Sequence, residues 1–159
     1  MDNYNFEEYV KAKHSGQTRW NGKSYFDEHC VVVSRHAVKL YTDLKIGTVY
    51  AYGLELQNIW ATGLGHDLLE DTNATFEEIE KLTNKNVADA IHCLTKKQDE
   101  KYSEYIIRIK DSGNFIAKLV KLADLECNMS DLKPGSMKDK YELAHYIIKG
   151  SLNEAISKT

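Results

Sequence analysis

Apolar positions along this chain recur mostly three and four residues apart, and strand-like alternation is scarce. The pattern predicts an all-α protein built as a compact helical bundle. A first helix is expected over about residues 4–14, with Phe6, Tyr9 and Val10 on one stripe. Residues 15–24 (SGQTRWNGKS) read as a polar loop with two glycines. A second helix is expected from Phe26 or Asp27 to about Leu44, packed through Val32, Val33, His36, Leu40 and Tyr41. Residues 45–53, with β-branched and aromatic content, read as a connection. A third helix is expected over about 54–69, carrying Leu56, Ile59, Trp60, Gly63, Leu64 and Asp67. Gly63 and Gly65 lower its propensity by about 1 kcal/mol each against alanine. Small residues there suit the close approach of another helix or of a ligand.

The second half continues in the same period. Thr75-x-x-Glu78 is a capping-box signal for a helix ending near Leu82. A further helix opens at Asn84 or Lys85 and buries Val87, Ala90, Ile91 and Leu94. Residues 96–100 form a charged turn, and Tyr102, Tyr105, Ile106 and Ile109 mark a helix ending near Lys110. After a DSGN turn, a helix over about 114–130 carries Phe115, Ile116, Leu119, Val120, Leu122 and Ala123. Pro134, the single proline, is expected at or near the first turn of a long final helix.

Composition narrows the function classes. The 159 residues fit one domain with its own core. Acidic side chains number 24 against 21 basic, a formal charge of -3, which disfavours a duplex nucleic-acid partner. The odd count and wide spacing of Cys30, Cys93 and Cys127 oppose a disulfide framework and offer no CxxC zinc signature, so free thiols are expected. The acidic, polar N-terminus is unlike a secretory signal, and no apolar run approaches the roughly 18 residues of a membrane span. A cytoplasmic location without membrane association is the expectation.

The chemistry concentrates at His66–Asp67, followed by Glu70–Asp71. Adjacent His and Asp offer a metal one imidazole nitrogen and one hard oxygen, a mixture that suits Mn²⁺, Fe²⁺ or Zn²⁺ better than Mg²⁺. If the helix persists through Leu69, both His66/Glu70 and Asp67/Asp71 are i,i+4 pairs that can face one cavity. Asp124 sits in the otherwise apolar run FIAKLVKLAD, where an unpartnered carboxylate is costly to bury. Either a metal or an ion pair with Lys121 or Lys118 accounts for it. A further histidine ligand is required. His29, near a helix start, and His36, deeper in the same helix, are both available, whereas His14, His92 and His145 lack a comparable acidic neighbourhood.

The segments KAKHSGQTRWNGKSYFDEH, GLGHDLLEDTNATFEEI, VADAIHCLTKK and VKLADLECNMSDL resemble, in order and spacing over about residues 6–132, motifs of the HD-domain phosphohydrolases. Within that superfamily the resemblance is to the hydrolase domain of the RelA/SpoT family and its small stand-alone relatives. It implies a single HD-type hydrolase domain over 1–159, with a C-terminal packing helix from about 134 and no room for a synthetase domain. It implies one divalent metal ion, Mn²⁺, held by His29, His66, Asp67 and Asp124. Glu70 and Asp71 become the catalytic acidic residues. Arg19, Lys23, Tyr25, Thr95, Lys96 and Asn128 become substrate residues, with the Arg19 guanidinium suited to stacking on a base. The implied reaction is hydrolysis of guanosine 3′,5′-bis(pyrophosphate), or the pentaphosphate, to GDP or GTP and pyrophosphate. The implied partner is therefore a small nucleotide, and a homo-oligomer is compatible with the resemblance. Related HD enzymes, such as deoxynucleoside 5′-monophosphatases and deoxynucleoside triphosphohydrolases, share the same core. A non-catalytic nucleotide sensor would be marked by a lost ligand or a lost Glu70, and neither loss is present. The chain departs from the family pattern in the long segment between His29 and His66, and at Cys30, Leu125 and Cys127.

Overall fold

The computed structural model describes residues 3–44 and 49–157. Among them there is no β-sheet, only an isolated antiparallel bridge between Thr18 and Ser24. The helices are α1 (Asn3–Lys13), α2 (Val31–Asp43), α3 (Val49–Gly65), α4 (Leu68–Asp71), α5 (Phe76–Leu82), α6 (Lys85–Leu94), α7 (Tyr102–Asp111), α8 (Phe115–Ser130) and α9 (Ser136–Ile156). A π-helical turn, Phe26–Cys30, leads directly into α2. The all-α helical bundle expected from the periodicity is thus observed, and no described helix is long and apolar enough to cross a membrane.

Local chemistry sets several boundaries. The Thr75 hydroxyl accepts from Glu78 N–H and the Glu78 carboxylate accepts from Thr75 N–H, completing the capping box of α5. Asn84 and Asn114 cap α6 and α8 through their side-chain oxygens. Pro134 lies two residues before α9 rather than inside its first turn, which Gly135 opens with φ +154°.

Three boundaries differ from expectation. The segment 45–53 is not wholly a connection, because α3 begins at Val49; residues 45–48 lie outside the described residues. The second helix opens as a π turn, Val31 N–H bonding Phe26 O five residues back. Val32 on that helix is exposed, its packed side being Val33, Ser34, Ala37 and Tyr41. The third helix does not run through Leu69. It stops at Gly65, turns at His66 and Asp67 (φ -101°, ψ 0°), and resumes as the short α4.

Two apolar clusters result. One joins Val33, Ala37 and Tyr41 of α2 to Ile59, Ile109, Leu119 and Ile148 on later helices. The other joins Phe6 and Val10 of α1 to Phe26, Leu64, Leu68, Ile79 and Ile91. Helix α3 serves both, and its packing on α2 is unusually close. A Cβ at Gly63 would stand 2.6 Å from Ser34 Cα, a backbone atom that cannot swing away. The small residues of α3 therefore admit a helix. Gly63→Ala is expected to cost about 2–3 kcal/mol through this overpacking. A thermal midpoint within a degree of the parent protein would contradict that.

The junction of α6 and α7 is clamped by Arg108. Its guanidinium donates to Glu100 Oε1 at 2.7 Å and Oε2 at 2.9 Å, to Cys93 O at 2.8 Å and to Thr95 O at 2.9 Å. Arg108 accordingly holds the Glu100 carboxyl down at about 2, below its ordinary 4.5. Because the folded value is the lower one, this pair stabilises the fold above pH 4.5, and the contribution is lost as pH falls from 4.5 towards 2. Glu100→Gln is expected to lower stability near neutrality by about 1 kcal/mol, the discounted value for a partly exposed pair. The gap in thermal midpoint from the parent should narrow on acidification to pH 3, and a constant gap would count against the assignment.

Candidate metal centre

Three separate pieces of chain converge between the two apolar clusters. The π turn carries His29, the break after α3 carries His66 and Asp67, and the buried side of α8 carries Asp124. His66 Nε2 lies 3.2 Å from His29 Nε2, 2.9 Å from Asp67 Oδ2 and 3.7 Å from Asp124 Oδ1. His29 Nε2 lies 3.6 Å from Asp67 Oδ2 and 3.4 Å from Asp124 Oδ1. Adjacent donors around an ion with bonds of about 2.0–2.2 Å stand roughly 3 Å apart, so two imidazole nitrogens and carboxylate oxygens at these spacings fit a divalent cation. His29, His66 and Asp67 form a cluster able to hold a metal ion, and Asp124 adjoins both histidines.

Supporting contacts orient these groups. His66 Nδ1 donates to Gly63 O at 2.8 Å, which leaves Nε2 as the inward nitrogen. The Tyr25 hydroxyl donates to Asp67 Oδ2 at 2.5 Å. Asp124 takes Asn128 Nδ2 on Oδ1 at 2.7 Å and Lys121 Nζ on Oδ2 at 2.8 Å. The ion-pair account of Asp124 and its place beside the histidines therefore coexist, with Lys121 rather than Lys118 as the partner. Lys118 instead donates to Ser151.

The electrostatics demand positive charge. Burial pushes the Asp67 and Asp124 carboxyls up, but His66 and His29 together outweigh it at Asp67, Lys121 and the two histidines together outweigh it at Asp124, and both end well below the carboxylate range. Burial pushes His66 down, yet Asp67 and Asp124 raise it well above an ordinary imidazole. Asp71 is raised by burial and by the negative charges of Asp67 and Glu70.

A cavity of about 410 Å³ opens onto the cluster, and Glu70, Asp71, Tyr25, Lys96 and Asn128 line it with His29, Asp67 and Asp124. Glu70 Oε2 accepts from Lys96 N–H at 2.9 Å, and Gln17 Nε2 donates to Asp71 O at 3.1 Å. The i,i+4 argument presumed an unbroken helix. Instead, Glu70 and Asp71 N–H both bond Asp67 O in the turn that presents them. Arg19 lies outside this cavity but lines two adjoining ones, held by Asn128 Oδ1 at 3.2 Å and Asp131 Oδ2 at 3.3 Å. Lys23 stands at the surface, 3.6 Å from Glu28, and the hydroxyl of Thr95, the residue that follows α6, donates back to Ile91 O; neither lines the cavity. His36 and His145 share one carboxylate, Glu126. Cavity-lining residues that no motif marks as part of a site are Tyr102, Tyr105, Lys140 and Tyr141. They come from distant segments, and only their residue type, not their spacing, marks them.

No family model matches the chain. Among curated proteins it is 35% identical over 80 residues to the guanosine-3′,5′-bis(diphosphate) 3′-pyrophosphohydrolase MESH1 of Drosophila melanogaster, covering 48% of this chain and 45% of that protein. It is 30% identical over 134 residues to the bifunctional (p)ppGpp synthase/hydrolase SpoT of Escherichia coli K12, covering 77% of this chain and 17% of that protein. The 3′-pyrophosphohydrolase of Aquifex aeolicus matches at 30% over 133 residues, covering 79% and 17%. The chain therefore spans less than half the length of these relatives. A solved structure, described as a metazoan ortholog of SpoT that hydrolyzes ppGpp, superimposes with a TM-score of 0.69 over 94% of this chain and 84% of that one, at 24% identity. That likeness establishes the shared fold.

Proposed function

Since the chain belongs to the HD-domain, SpoT-type hydrolase superfamily, we propose that it removes the 3′-pyrophosphate of guanosine tetra- or pentaphosphate with the aid of one divalent cation. Mn²⁺ suits the mixed nitrogen and oxygen donors. The observation that carries this reading is the convergence of His29, His66, Asp67 and Asp124, with donor separations of 2.9–3.7 Å, at a cavity also lined by Glu70 and Asp71.

His29, His66, Asp67 and Asp124 hold the ion, and the residues around them divide the remaining work. A bound cation acidifies water and polarises a phosphoryl oxygen. Glu70 orients the attacking water and accepts its proton. Asp71, whose carboxyl is raised by its surroundings, lies beside Glu70 to hold a proton in transit. Water oxygen bonds to the 3′-phosphorus, the bond from phosphorus to the ribose 3′-oxygen breaks, and that oxygen leaves with a proton. The products are GDP or GTP and pyrophosphate. Tyr25 fixes Asp67, and Asn128 links Asp124 to Arg19, which joins the metal centre to the place where a base stacks.

The test is a nucleotide panel with Mn²⁺-loaded protein, with phosphate and pyrophosphate measured separately. Pyrophosphate released from guanosine tetraphosphate is the expected result. No pyrophosphate from it, together with phosphate from a deoxynucleotide, overturns the substrate assignment.

A further inference from the structure

The cavity at the metal centre has a second lining of different chemistry. Tyr102 opens α7, and Lys140 and Tyr141 come from the first turns of α9. The Tyr102 hydroxyl is buried and has no hydrogen-bond partner among the described residues. Burial pushes it up to about 12, so it remains a donor at neutral pH. A buried donor of this kind is costly unless something entering the cavity supplies an acceptor.

Lys140, an exposed side chain at the edge of the lining, supplies a charge beside that donor. Its Nζ lies 4.1 Å from the centre of the Tyr102 ring and 5.4 Å from that of Tyr141. Aromatic faces hold an ammonium group in place without neutralising it. Among the described residues no carboxylate lies within ion-pair distance of Lys140. Lys121 differs, because its Nζ is engaged by Asp124 at 2.8 Å. One unsatisfied donor and one uncompensated cation thus line the same cavity as Asp67 and Asp124.

We propose that Tyr102 and Lys140 form a phosphate subsite adjoining the metal centre, which receives the terminal phosphate of a pyrophosphoryl group. The inference rests on the reading of the site as a pyrophosphohydrolase and deepens it. A substrate whose scissile phosphorus carries a second phosphate reaches both the metal residues and this pair. A monophosphate held at the metal residues leaves the pair unused. The two residues therefore favour diphosphate over monophosphate substrates, and they do so through an anion acceptor for Tyr102 and a countercharge for Lys140.

The probes are inorganic pyrophosphate and orthophosphate, titrated calorimetrically into Mn²⁺-loaded parent protein, Tyr102→Phe and Lys140→Met. Both variants keep the apolar part of the side chain, and Mn²⁺ affinity measured alongside reports an intact centre. Each is expected to bind pyrophosphate on the order of tenfold more weakly, the loss typical of one hydrogen bond to a charged group. Orthophosphate and Mn²⁺ affinities should stay unchanged, and KM for the tetraphosphate should rise more than kcat falls. Unaltered pyrophosphate affinity in both variants, or an equal loss for orthophosphate, overturns the subsite. Parent protein that binds pyrophosphate through these residues yet releases none from the tetraphosphate would overturn the substrate reading and leave the subsite standing.

Discussion

Replacing Asp67 with alanine is expected to abolish Mn²⁺ binding and reduce nucleotide hydrolysis to background. Asp67 occupies the break between α3 and α4, with Oδ2 2.9 Å from His66 Nε2 and 3.6 Å from His29 Nε2. Its neighbours hold the carboxyl well below the usual range against the effect of burial, so it carries its charge throughout the neutral range. Without it, two imidazoles face Asp124, whose charge is already shared with Lys121 and Asn128. Loss of a supporting residue around a metal commonly costs about 10–100-fold in affinity, and loss of a charged ligand exceeds that. A thermal measurement reads this without turnover. At a Mn²⁺ concentration 100 times the parent dissociation constant, the parent gains about 2.7 kcal/mol of stability. The Asp67→Ala midpoint should not move at the same concentration. Asp67→Asn separates two roles, because it keeps an acceptor for Tyr25 but lacks the charge. It should recover stability of the metal-free protein without recovering Mn²⁺ affinity. A normal Mn²⁺-dependent shift in either variant would remove Asp67 from the ligand set.

The centre was legible in the sequence to the extent that its residues are neighbours or anomalies. His66 and Asp67 are adjacent, Glu70 and Asp71 follow within one turn, and Asp124 is a carboxylate in an apolar run. The route by which they meet was not legible. Leu64 and Leu68 are both fully buried, so the helical period continues across His66 and Asp67 although the helix itself does not. Periodicity reports which side faces the core and is blind to a turn that preserves that side. The lysines show a similar limit. Residue type alone cannot separate Lys23, beside Glu28, from Lys140, equally exposed but over two tyrosine rings on the cavity lining. Tyr25 reaches Asp67 across 42 residues and Arg19 reaches Asn128 across 109, contacts that no local spacing encodes.

Replacing Glu70 should separate binding from chemistry. Glu70→Ala is expected to retain Mn²⁺ and the Mn²⁺-dependent gain in thermal stability, while kcat falls about 10²–10⁴-fold, the usual range for removing a positioned acid or base. Glu70 lines the cavity without belonging to the close histidine–aspartate cluster, and its Oε2 is fixed by the Lys96 N–H at 2.9 Å. That bond holds one carboxylate oxygen still and leaves the other for water. Removing the side chain frees a backbone donor at the cavity edge, where solvent can reach it, so the fold should lose little. Glu70→Gln tests the same point more narrowly: it keeps an oxygen for Lys96 but cannot take a proton, and its rate should resemble that of the alanine variant. If the glutamine variant keeps most of the rate, Glu70 positions water without accepting its proton, and the base must be sought at Asp71. If the alanine variant also keeps it, neither role belongs to Glu70. Asp71→Asn measured alongside distinguishes these outcomes, because Asp71 is raised by the charges of Asp67 and Glu70 as well as by burial. Neutralising Glu70 removes one of those charges, so the two substitutions should be non-additive in kcat if the carboxyls share a proton.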